Sequence, residues 1–165
     1  GTYWTYMAEH FEPLMRSLGL SGEGARRAAR GVREMVLDSS SYRLHPETVS
    51  VLELLGRAGW RQAILSNHVP ELADIVKALG IATHFEAVLS SGNLGYEKPH
   101  PAIYRAALDR LKPLARVWMV GDNLVADALG ARNAGISSIL VRQPRKDFNL
   151  KAGDLWGAAR IILGS

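Results

Sequence analysis

From Pro46 onward the chain alternates between helical and strand patterns, and that alternation limits the folds open to it more than any other feature. Pro46 opens a helix that ends at "RAG" (57–59), and "RQAILS" (61–66) follows as a short buried strand. "VPELADIVKALG" (69–80) is a helix closed by Gly80, and "FEAVLSS" (85–91) a second strand. "HPAIYRAALDRLK" (100–112) is a helix with Pro101 suited to its first turn. A strand "RVWMVG" (116–121), a helix "VADALGARNAG" (125–135) and a strand "SSILV" (137–141) complete the series. Strands separated by helices need right-handed crossovers, so the pattern predicts an α/β fold: a Rossmann-like parallel sheet with helices on both faces.

Residues 2–37 read differently, as helices only. "YWTYMAEHFEPLMRSLGL" is apolar at helical spacing, with Pro13 a point for a kink or restart and Gly19 a helix stop. Ser21 is a candidate N-cap for a second helix, "SGEGARRAARGVREMVL", with Val32, Met35 and Val36 on its apolar side. "DSSSYRLHP" is a polar connector. The chain therefore divides into a helical element, 1–45, and an α/β region, 46–165.

Composition narrows the function classes. The chain has no cysteine, which removes thiolate metal sites and cysteine nucleophiles and is compatible with a reducing cytoplasm, where we place the protein. The net charge is +4, with basic clusters at "GARRAARGVRE" and "VRQPRK"; a solvated helix face accounts for the first, and we expect no nucleic-acid partner. No apolar run approaches membrane-spanning length and no signal peptide is visible, so no membrane association is expected.

In parallel sheets ligands bind beyond the carboxyl ends of the strands. After the first strand stand Ser66, Asn67 and His68; after the second comes "SSGNLGYEKPHPAIY" with Lys98 just before a helix; after the third come Gly121 and Asp122, with Asp127 five positions further on. A hydroxyl, an ammonium and two carboxylates thus meet at one sheet edge. Oxygen ligands of this kind suit Mg²⁺, which binds through one or two carboxylates, waters and substrate phosphate. Ser66 and the backbone N–H groups after it can hold phosphate oxygens, and Lys98 can neutralise charge. Taken singly, each residue has a plainer role: Asp122 as an N-cap, Asp127 as a first-turn acid, Ser66-Asn67 as a turn, Lys98 as a surface lysine. His10, His45, His68, His84 and His100 lack metal-ligand spacing and read as capping or surface residues; Tyr3, Trp4, Tyr6 and Phe11 read as helix packing.

The order "ILSN", "GYEKPHPAIY", "GDNLVADALGARNAG" resembles the haloacid dehalogenase-like hydrolase superfamily, chiefly its phosphatase branch, over roughly residues 46–142. The resemblance implies that Ser66 binds phosphate with Asn67 as its neighbour. It implies that Lys98 contacts the nucleophile and phosphoryl group, and that Asp122 and Asp127 are the Mg²⁺-site acids. His100 stands where the family often has an Asp that caps the helix. The implied activity is Mg²⁺-dependent hydrolysis of a small phosphorylated metabolite through an aspartyl-phosphate, with residues 1–45 as part of a helical cap. A non-catalytic phospho-ligand or protein-binding relative is the alternative. A 2-haloacid dehalogenase fits less well, because that branch lacks the paired metal-site acids.

One family element is not found. The family nucleophile is the first Asp of a DxD motif on a central strand, whereas this chain has no Asp-x-Asp and its first Asp is Asp38, in the polar connector. The resemblance therefore implies that the nucleophile strand lies upstream of Gly1, and that the strands ending at Ser66 and Asp122 do not pair with each other.

Overall fold

The computed structural model describes residues 3–112, 115–143 and 148–164; part of the "VRQPRK" cluster lies outside the described residues. Two helices come first, α1 (Tyr3–Ser17) and α2 (Gly22–Leu37), packed as a hairpin. Gly19 adopts φ +89° at the turn, a conformation that disfavours any side chain, and Ser21 caps α2 by accepting the Gly24 N–H at 3.2 Å. α1 passes through Pro13 as one helix, so the restart expected there does not occur.

The α/β region follows: α3 (Thr48–Arg57), β1 (Ala63–Ser66), α4 (Leu72–Ala78), β2 (Ala87–Ser90), α5 (Ser91–Leu94), α6 (Pro101–Leu111) and β3 (Trp118–Gly121). A π-helical turn (Leu124–Leu129) runs into α7 (Gly130–Asn133), followed by β4 (Ser137–Val141), β5 (Lys151–Ala152) and α8 (Leu155–Leu163). Every strand pair is parallel. The strands fall into two sheets, β1-β2 and β3-β4-β5, and no ladder joins β1 to β3 among the described residues.

Alternation along the strands places helices on both faces. Met119 of β3 and Leu65 of β1 pack on Ile103, Tyr104 and Ala131 from α6 and α7. Trp118 and Val120 point the other way, with Ile139 and Val141, onto Ala158 and Ile162 of α8. Ile64 and Val88 pack with Leu72 and Val76 of α4. β4, paired on both sides, is buried at four of its five positions, while β1 and β3 are only half-buried throughout. Among the described residues no helix is long and apolar enough to cross a membrane.

Three features depart from expectation. β5 and α8 continue the region past Val141, α8 being capped by Asp154, whose side chain accepts the Gly157 N–H at 2.7 Å. Met35 is exposed: the side of α2 that packs against α1 is lined by Ala25 and Ala29, whose small side chains allow close approach. The helix expected over 125–135 opens with a π-helical turn, in which Asn123 C=O accepts from the N–H of both Asp127 and Ala128.

Candidate active site

β1 and β3 bring their ends to one place, and Lys98 spans them. Its ammonium donates to the Leu65 carbonyl of β1 at 2.7 Å and to Asp127 Oδ1 at 2.7 Å. Both side chains of this ion pair are about nine-tenths buried. An ammonium has three donors, so one remains for a ligand. Asn67 fixes the lysine's backbone: its Nδ2 donates to Lys98 C=O at 2.8 Å and its Oδ1 accepts from Lys98 N–H at 2.7 Å. Asn67, expected on the substrate side, thus spends both ends of its amide on Lys98.

Asp127 is held as firmly. Its Oδ2 accepts the Asn123 N–H at 2.9 Å. A Cβ on residue 121 would stand 2.3 Å from Asp127 Cγ, so only glycine lets the end of β3 admit this carboxylate. Asn123, not Asp122, is the cap: its Oδ1 accepts from Val125 N–H at 3.0 Å and Ala126 N–H at 2.9 Å. The capping role for Asp122 is therefore gone. Asp122 is exposed, and neither its carboxylate nor the Ser66 hydroxyl has a side-chain hydrogen bond among the described residues. Two polar groups thus stand free at strand ends next to a locked Lys98–Asp127 pair: Ser66 follows Leu65, whose carbonyl takes Lys98, and Asp122 follows Gly121, which lies against Asp127.

Other residues support this arrangement. Tyr104, fully buried on α6, donates to the Ala126 carbonyl inside the π-helical turn. Burial, and then the Asp127 charge, push its phenol up to about 12. His100 caps α6, its Nδ1 accepting the Ala102 N–H at 3.2 Å, as its position in the motif implies. Asp38, the chain's first Asp, caps the turn at Ser39–Ser41 and lies in no site.

A second group joins the hairpin to the α/β region. Trp4 Nε1 donates to Glu71 Oε1 at 2.7 Å, and Arg33 reaches the same oxygen at 3.4 Å while lying over the Trp4 ring. Burial, and then Glu97 and Glu71, raise the Tyr3 phenol. Tyr42 of the connector bonds His68 Nε2 at 3.3 Å, so His68 is a half-buried junction residue and not a surface one. Glu71 and Tyr42 carry no motif signal, and only their tertiary neighbours reveal them.

Among the described residues no three His, Asp or Glu side chains gather as a ready-made metal cage. The donors that exist suit a hydrated Mg²⁺: Asp122 is free, and Asp127 keeps a second lone pair on each oxygen.

Comparison with known proteins identifies the family. Over 141 residues the chain is 36% identical to a phosphoserine phosphatase from Thermus thermophilus, covering 80% of the chain and 57% of that protein. It is 40% identical over 100 residues to a glyceraldehyde 3-phosphate phosphatase from Methanothermobacter thermautotrophicus, covering 58% of the chain and 43% of that protein. The chain spans about half the length of the curated relatives it matches. In fold it is similar to the magnesium-bound HAD-hydrolase YfnB from Bacillus subtilis, with TM-score 0.77 and 18% identity over 99% of this chain and 73% of that one. The haloacid dehalogenase-like hydrolase model matches residues 4–135, a span that takes in Ser66, Asn67, Lys98, Asp122 and Asp127, and the chain belongs to that family.

Proposed function

We propose that this chain carries the phosphate- and metal-binding half of a Mg²⁺-dependent phosphatase of small phosphorylated metabolites, acting in the cytoplasm. The observation that carries the reading is Lys98, held between the end of β1 and Asp127, with Ser66 and Asp122 free at the neighbouring strand ends. The two phosphatase relatives support the reaction class.

Each residue then has a task. Ser66 and the backbone beyond β1 hold phosphoryl oxygens, and the third Lys98 donor meets the same group. Asn67 serves the substrate by fixing Lys98. Asp122 and Asp127 would hold the metal, which when bound would neutralise charge on the phosphoryl oxygens. Asp127 also keeps Lys98 aimed, so loss of its carboxylate disturbs both cations. Preorganised positive charge of this kind is the main protein contribution to phosphoryl transfer.

The carboxylate nucleophile, in this proposal, comes from an upstream strand that enters between β1 and β3. The half-buried state of those two strands favours such a neighbour. The test is to assay p-nitrophenyl phosphate hydrolysis with Mg²⁺ by the 165-residue chain and by a chain extended upstream. Turnover by the extended chain alone is expected. Equal turnover by both would show that the nucleophile is misplaced, and none by either would favour a binding protein.

A further inference from the structure

The junction between hairpin and α/β region contains two acceptors without donors. Glu71 Oε2 and His68 Nδ1 are both sealed from solvent and have no hydrogen-bond partner. Both belong to the turn that runs from Ser66 into α4.

The His68 nitrogen can be assigned as an acceptor from its neighbours. Tyr42 Oη lies 2.8 Å from the Val36 carbonyl and 3.3 Å from His68 Nε2. A carbonyl can only accept, so the single phenolic proton goes to Val36. The Tyr42 oxygen must then accept from His68 Nε2–H, which leaves Nδ1 as a bare lone pair. Burial lowers the pKa of this imidazole and so favours the same neutral form. At Glu71 the other oxygen, Oε1, already serves Trp4 and Arg33, and Oε2 is an unused carboxylate acceptor.

Buried acceptors of this kind are costly unless a donor arrives. The position says which donor. His68 and Glu71 stand one and four positions beyond Asn67 in the turn into α4, and Trp4 and Arg33 tie the hairpin to that turn; in the phosphatase reading, a phosphomonoester held at Ser66 would extend its alcohol toward them. We propose that Glu71 and His68 form a leaving-group subsite selecting phosphomonoesters whose alcohol carries an ammonium group, which would give N–H donors to Glu71 Oε2 and His68 Nδ1. The carboxylate favours a cationic donor over a neutral hydroxyl. Trp4 and Arg33, anchored on the same Glu71, bring the hairpin down over this subsite, and entry requires it to lift. This inference rests on the phosphatase reading of Ser66 and Lys98.

The test compares O-phosphoethanolamine with propyl phosphate, which differ by an ammonium in place of a methyl. Each is titrated into the 165-residue chain with Mg²⁺, by calorimetry and by the Trp4 indole N–H resonance. O-phosphoethanolamine should bind about tenfold or more tightly and alone should shift the Trp4 signal, the scale expected for one charge-assisted hydrogen bond. In Glu71→Gln the affinity ratio should collapse toward one. Equal binding of the two ligands by the unaltered chain would overturn this inference and leave the phosphatase reading standing. So would a ratio that survives Glu71→Gln, which would place the ammonium elsewhere. Failure of both ligands to bind would overturn the two together.

Discussion

The hairpin and the α/β region are stabilised in different ways. α1 buries no residue and α2 buries only Ala25 and Ala29, while Tyr6, Leu14, Leu18 and Met35 stand exposed. In the α/β region Ile103, Tyr104, Ile139 and Leu140 are almost wholly removed from solvent. The locked Lys98–Asp127 pair belongs to the packed region, whereas the hairpin is tied to it through Glu71 and through the connector residue Tyr42. Charge placement therefore sits where the chain is rigid. The hairpin sits where opening is easy, because elements with few buried apolar contacts open at low free energy.

Each region can be perturbed separately. Asp127→Ala leaves the Lys98 ammonium buried without its partner, so the packed region should lose about 3–5 kcal/mol in denaturant unfolding. A loss under about 1 kcal/mol would mean the pair is not closed off from water as described. His100→Ala removes the α6 cap and should cost about 1 kcal/mol, while His100→Asp should restore it. Glu71→Gln keeps an acceptor for Trp4 but removes the charge facing half-exposed Arg33. Amide exchange in α1 and α2 should speed up by an amount worth about 0.2–1 kcal/mol, with β4 unchanged. Faster exchange in α1, α2 and β4 alike would show that hairpin and sheet open as one.

The smallest expected effect is a pH dependence at His68. Burial holds its folded pKa below the ordinary 6.5, so the unfolded chain takes up a proton first as pH falls. The neutral ring's contribution is complete above that value and is lost as pH falls through the lowered folded pKa. His68→Gln should flatten the stability profile in this acidic window only, and a profile unchanged by the substitution would place His68 in water.

Much of this arrangement is legible in the chain itself, for identifiable reasons. Apolar runs of four to six residues ending in Ser66, Ser90 and Gly121 mark strand ends, and ligand residues in parallel sheets cluster there. Ser21 and His100 announce helix starts, because an acceptor side chain before a helix has few other uses. What stays hidden depends on distant partners. Asp127 reads as a first-turn acid, and only the proximity of Lys98, Gly121 and Asn123 makes it a buried counter-ion. Asn67 looks like a ligand contact, while its clasp on Lys98 joins loops 31 residues apart. Glu71 looks like any helix-leading acid until the hairpin is folded over it. α8 was open to reading, with Asp154 before an apolar run, whereas the two-residue β5 has too few positions to show a period.

In the proposed function Asp122 supplies the metal carboxylate of a phosphate site built around Lys98. Titration of inorganic phosphate into the chain and into Asp122→Asn, with and without Mg²⁺, tests it directly. Phosphate should bind the unaltered chain more tightly when Mg²⁺ is present, and Asp122→Asn should weaken that Mg²⁺-dependent binding by about tenfold or more. Because Asp122 is exposed and Asn123 provides the cap, folding of the variant should be unaffected. Equal Mg²⁺-dependent affinity in the two proteins would contradict the account.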